Sequence, residues 1–315
     1  MKEYKPLPIG IDNFQKIRQL GCYYVDKTLL IKTLLDTTAE VTLFTRPRRF
    51  GKSLNLSMLQ YFFEKDVASH VPSNGKSDTC ELFQGLKIVS AGEKYQAHMG
   101  KYPVIMLNFK EAKQGSFDYC YGALYQMIAD EYERHSGILD SEDLTEEDKR
   151  KYQLLRNQEA DYVMVVSSIQ FLCKCLEKVY QEKVIVLIDE YDVPLENAFM
   201  EDFYKEMVRF MRGVLGATLK TNNSLKFAVI TGCLRISKES IFTGLNNLEV
   251  VSIENKEYGE YFGFTEGEVR EMLVHFHREQ CMDLVREWYN GYVFGKKQVY
   301  NPWSLVRYMN DLRVD

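Results

Sequence analysis

Thr42-Leu43-Phe44-Thr45-Arg46-Pro47-Arg48-Arg49-Phe50-Gly51-Lys52-Ser53 decides the fold of this 315-residue chain. Residues 41–45 are β-branched and aromatic, which predicts a buried strand. From Leu54 the pattern changes, and Leu54, Met58, Leu59 and Phe62 recur at helical spacing. A tight loop ending in Gly-Lys-Ser therefore joins a strand to a helix. That context lets backbone N–H groups at a helix N-terminus cradle phosphate oxygens. Gly51 permits close approach, Lys52 meets the β- and γ-phosphates, and Ser53 offers its hydroxyl to Mg²⁺. Arg48, Arg49, Phe50 and Leu54 complete the candidate nucleotide-binding stretch.

The loop departs from the usual P-loop pattern. The position that takes the first glycine holds Arg46, and Pro47, Arg48 and Arg49 fill the middle. Arginines there add positive charge where a nest of amides would otherwise suffice.

A second stretch supplies the other half of such a site. Residues 183–188 form a β-rich run that ends in Asp189-Glu190-Tyr191-Asp192. In parallel α/β sheets, ligands sit at the carboxyl ends of the strands. Asp189 is expected to hold Mg²⁺, through water or together with Ser53, and Glu190 to orient or deprotonate an attacking water. Asp189 as a plain helix cap, or the pair as an acidic turn, is the alternative. The pairing with Gly-Lys-Ser favours the Mg–phosphate reading, because the two motifs supply opposite halves of one site.

Composition allows two domains and a sizeable core, with 45% hydrophobic and 13% aromatic residues. A net charge of −5 carries no global nucleic-acid signal, so only a local basic patch at Arg46, Arg48 and Arg49 hints at one. The seven cysteines are scattered with no C-x-x-C, which fits reduced thiols in a cytoplasmic protein. No signal peptide is legible at the start, and no apolar run approaches a membrane span.

Taken in order, residues 1–25 read as an extended leader, since Pro6, Pro8 and Gly10 disfavour regular structure. Tyr24 and Val25 are candidates for an adenine wall, with core packing as the alternative, and Asp26 is placed to cap a helix. Residues 73–78 read as an exposed turn and 103–109 as a second buried strand. Helices are expected at 117–133, 162–180 and 201–219, with 139–158 a solvated helical insertion. Residues 224–232 form a fourth strand ending near Thr231, a candidate γ-phosphate sensor, followed by Arg235 as a candidate charge stabiliser. A fifth strand at 248–253 precedes a helical lid in which Thr265 caps a helix.

With these motifs in view, the chain resembles the bacterial AAA-ATPase-like family of P-loop proteins. The matching stretches are Tyr24-Val25-Asp26-Lys27-Thr28, residues 46–53, 187–192, 231–241 (TGCLRISKESI), 244–248 (GLNNL), 261–265 (YFGFT), 288–292 and 300–303. The loop lacking its first glycine looks like the family's own variant. The resemblance implies an α/β P-loop parallel sheet flanked by helices over residues 1–255 and a helical lid over 256–315. It implies ATP with Mg²⁺ at Lys52, Ser53 and Asp189, with Glu190 as the hydrolytic residue. It also implies a following nuclease-like domain, here expected to begin where the chain stops, so a protein partner or effector domain and oligomerisation are open.

Other chemistry finds less support. Glu254-Asn255-Lys256 has E-x-K spacing, but no upstream Pro-Asp joins it. His277 and Cys281 offer two ligands where structural zinc wants four. No G-x-S-x-G is present. Three functional classes follow: an ATPase, a switch that holds ATP or ADP with negligible turnover, and a nucleic-acid-stimulated ATPase.

Overall fold

The computed structural model describes residues 4–65, 79–220, 222–234, 241–242 and 244–314. Five parallel strands form its central sheet: β1 (Val41–Thr45), β2 (Val104–Asn108), β3 (Val184–Asp189), β4 (Leu225–Gly232) and β5 (Leu248–Val251). Their order across the sheet is β2-β3-β4-β1-β5. All five were legible as strands, and the apolar run of β2 reads as one covered on both faces, which needs no polar alternation. Successive side chains still point to opposite faces. Leu43, Val186 and Ile188 face one core, while Phe44, Ile185 and Leu187 face the other.

The first core is roofed by helices Phe117–Arg134, Ser168–Tyr180 and Tyr204–Leu219. The second is roofed by Leu29–Asp36 and by Lys52–Phe63, the helix that Gly51 opens. Beyond β5, helices Glu266–His275, Met282–Tyr289 and Pro302–Val314 gather around a third core containing Met272, Leu273, Val285 and Leu305.

Several local expectations need correction. The leader contains a short helix, Phe14–Gln19, because the Asn13 side chain accepts from Lys16 N at 2.9 Å and Phe14 is driven inward. Asp26 caps no helix directly; its carboxylate accepts from Thr28 N at 2.9 Å and from Lys87 N at 2.7 Å, tying the leader to a later loop. Residues 146–156 are helical but not a solvated insertion. Tyr152 and Leu155 are fully buried, and the Tyr152 hydroxyl donates to Tyr132 O at 2.5 Å. The expected helix over 162–180 breaks into Tyr162–Val166 and Ser168–Tyr180, where the Ser167 and Ser168 hydroxyls donate to nearby carbonyls. A further helix, Val193–Met200, fills the gap after the acidic pair, with proline in its first turn.

The C-terminal segment is also less helical than expected. It carries a three-stranded antiparallel sheet of β6 (Phe264–Thr265), β7 (Tyr292–Phe294) and β8 (Lys297–Tyr300) in the order β6-β8-β7. Strands this short show no alternation to read in sequence. Their hairpin turns at Gly295, whose φ of 61° and whose crowding by Asn255 and Lys256 both demand glycine. The turn expected at 73–78 lies outside the described residues.

Candidate nucleotide site

Three strand ends meet at one carboxylate. Parallel pairing sets Asn108 beside Asp189, and Ile188 beside Ile230, so β3 and β4 finish level. β1 finishes one strand further along, with Thr45 beside Gly232. Ser53, in the first turn of the helix after β1, donates its hydroxyl to Asp189 Oδ2 at 2.5 Å. Thr231, at the end of β4, donates to Asp189 Oδ1. Asn108 Nδ2 reaches Oδ2 at 3.3 Å. Asp189 is fully buried, so these donors replace the water it gives up.

Gly51 has φ of 80°, and no atom lies within 4 Å of where its Cβ would be. A glycine here lets the chain turn into the helix and leaves open space over the loop amides. Lys52 is buried, and its Nζ donates to Arg46 O and Pro47 O at 3.1 Å and to Cys233 Sγ at 3.3 Å. The ammonium thus sits between the loop and the turn after β4.

Arg46 explains the missing glycine. Its side chain is fully buried and turned away from the loop's mouth. One guanidinium nitrogen donates to Thr45 O at 3.0 Å and to Val251 O at 2.8 Å, joining β1 to the end of β5. The rings of Phe262 and Phe294 lie 5.0 and 5.2 Å from the guanidinium carbon. Burial pushes its pKa down to about 10, which still leaves a cation at neutral pH.

The next residues fasten the loop on two sides. Arg48 is exposed and meets Glu196 at 3.1 Å. Arg49 takes a left-handed backbone (φ of 70°) and lays its guanidinium 3.8 Å from the centre of the Trp303 ring. Phe50 is buried against Tyr292 and Phe294, and its carbonyl accepts from Gly263 N at 3.3 Å. The side chains of Arg49 and Phe50, and the Phe50 carbonyl, are therefore engaged by the C-terminal segment, leaving the backbone N–H groups to the loop. Leu54 packs on the second core, as its spacing suggested.

Glu190 follows Asp189 directly and adopts φ of 53°, a strained conformation for a residue with a side chain. Burial, and then the neighbouring Asp189 charge, raise its carboxyl pKa above the usual range. Tyr24 stands apart from this cluster in its contacts. Its ring meets Phe14 edge-on at 5.4 Å, and burial raises its phenol pKa. Arg235 lies outside the described residues.

Two contributors escaped sequence reading. Asn108 was visible only as a polar residue closing an apolar strand. Asp192 was visible only as the last residue of the acidic stretch, with no role of its own. It is buried, and its Oδ2 accepts from Cys233 N at 2.8 Å and Leu234 N at 2.7 Å, fixing the turn that follows Thr231.

The donor set consists of a hydroxyl and a carboxylate, hard oxygens that suit Mg²⁺ shared with phosphates. Among the described residues there is no group of three or more His, Cys, Asp or Glu side chains placed to hold a metal ion. A parallel sheet with Gly-Lys-Ser opening a helix after one strand, and aspartate closing another, defines a P-loop α/β protein. The chain belongs to the family described as "Predicted AAA-ATPase", which matches residues 8–242. It is 30% identical over 304 residues to an "Uncharacterized protein in vnfD 5'region" of Azotobacter chroococcum mcd 1, a match covering 96% of this chain and 51% of that protein. The chain thus spans about half the length of the curated relative it matches. No solved structure matches it. No helix among the described residues is long and apolar enough to cross a membrane.

Proposed function

We propose that this chain binds Mg-ATP and hydrolyses it to ADP and phosphate. The observation that carries the reading is the convergence of Ser53, Thr231 and Asn108 on Asp189 beside the open face of Gly51. In this reading residues 1–255 form the nucleotide-binding unit and 256–315 cover it as a lid.

Loop amides from Arg48 to Ser53 cradle the phosphates, and Lys52 moves from the loop carbonyls to the β- and γ-phosphate oxygens. Ser53 and Asp189 hold Mg²⁺, which when bound neutralises phosphate charge. Glu190, its pKa raised, accepts a proton from the attacking water or aligns it. Thr231 holds Asp189 and borders the γ-phosphate, and Arg235, or an arginine from a neighbouring subunit, would complete the charge balance. Catalysis is positioning and electrostatics, with no covalent enzyme intermediate.

The test is melting temperature with Mg-ATP against Mg²⁺ alone, followed by phosphate release. A rise with Mg-ATP together with steady release supports the ATPase. Retained nucleotide without release moves the chain to the switch reading, and no rise in protein stripped of nucleotide removes both.

A further inference from the structure

Resting on the Mg-ATP reading, we propose that Asn108 is a positioning residue that sets the plane of the Asp189 carboxylate and so tunes Mg²⁺ affinity at the site.

An ionised carboxylate has about four acceptor positions. On Asp189, Oδ1 accepts from the Thr231 hydroxyl and from Glu190 N at 3.1 Å. Oδ2 accepts from the Ser53 hydroxyl at 2.5 Å and from Asn108 Nδ2 at 3.3 Å. Every acceptor position is therefore used. With Mg²⁺ held by Ser53 and Asp189, the Ser53 hydroxyl would no longer donate to Oδ2. Asn108 is then what holds Oδ2 against rotation, while Thr231 holds Oδ1.

The orientation of the amide is fixed by a second contact. Asn108 Oδ1 accepts from Lys110 N at 3.0 Å, which leaves the NH₂ group to face Asp189. The register of β2 on β3 places the two residues side by side, so the contact is built into the sheet. Hydrogen-bond partners of metal-ligating carboxylates commonly change metal affinity by about 10- to 100-fold when removed.

The test uses two variants. Asn108→Ala removes both contacts. Asn108→Ser keeps a short acceptor for Lys110 N but cannot reach Asp189, so it retains the local turn. Binding of a fluorescent ATP analogue is titrated with Mg²⁺ at fixed nucleotide, and repeated in EDTA. Both variants are expected to need about 10-fold more Mg²⁺ at the midpoint, with nucleotide affinity in EDTA unchanged. A merely structural role would lower melting temperature and leave the Mg²⁺ midpoint where it is. A wild-type midpoint in a folded Asn108→Ser protein overturns the proposal, as does equal weakening with and without Mg²⁺. Wild-type protein showing no Mg²⁺-dependent nucleotide binding overturns the Mg-ATP reading itself, and this inference with it.

Discussion

Ser53 Oγ lies 2.5 Å from Asp189 Oδ2, although 136 positions separate them in the chain. The contact exists because β4 lies between β1 and β3, and the loop after β1 reaches across its end. Thr231, on that intervening strand, holds the other oxygen of the same carboxylate. One acidic group thus ties three strand ends and a helix start into one cluster.

Lys52→Ala is expected to abolish the rise in melting temperature that Mg-ATP produces. The ammonium is the buried cation at the loop's mouth, and hydrogen bonds to charged groups contribute about 1.5–3 kcal/mol each. Differential scanning fluorimetry with and without Mg-ATP reads the result.

Glu190→Gln should keep nucleotide binding and lower turnover about 10²- to 10⁴-fold, the range for a lost general base. The amide retains the shape of the side chain but cannot take a proton. Phosphate release measured beside nucleotide affinity separates the two; undiminished release removes Glu190 from its role.

Arg46→Ala should destabilise the fold by about 2–4 kcal/mol, through an orphaned Val251 carbonyl and a cavity beside Phe262 and Phe294. Arg46→Lys is not expected to restore it, since an ammonium cannot reproduce the planar stacking. Urea unfolding gives the comparison. Because Arg46 is fully buried, it also drops out of the basic patch that hinted at nucleic acid.

Gly232→Ala should destabilise by about 1–3 kcal/mol or more, as overpacking does. A Cβ there would lie 2.5 Å from the Tyr191 ring and 2.7 Å from Asp192 Oδ1. The displaced turn carries Thr231, so nucleotide affinity should fall alongside the urea midpoint.

Acid unfolding should depend on Glu131. Burial would raise its pKa, but Arg134 and His135 outweigh that and hold it down to about 2, against an ordinary 4.5. A depressed carboxyl contributes stability above its unfolded pKa and loses it as pH falls from about 4.5 towards 2, on the order of 3 kcal/mol. Glu64, on the same guanidinium, is pushed upward by burial and opposes this trend. The difference between wild-type and Glu131→Gln unfolding curves isolates Glu131: the variant should lack that pH-dependent loss.

The sheet was legible because β2 and β3 are continuous apolar runs and the other strands are rich in β-branched and aromatic residues. The cap that Thr265 places on its helix was legible too, because cap and helix are neighbours in the chain; the structure adds Glu268 as the second half of a capping box. The short strands β6, β7 and β8 were not, since two to four residues carry no period. The break at Ser167 was hidden by the apolar residues on either side of it.

From sequence alone, Gly51, Lys52 and Ser53 were placed at a helix start and Asp189 at a strand end, because both motifs are local in the chain. Only the tertiary structure decided which side chains gather at Asp189 and which turn away from the loop. It sent Arg46 inward between β1 and β5, laid Arg49 on Trp303 and brought Asn108 to Asp189. Strand order and register make those contacts, and they join residues whose spacing along the chain carries no trace of the pairing.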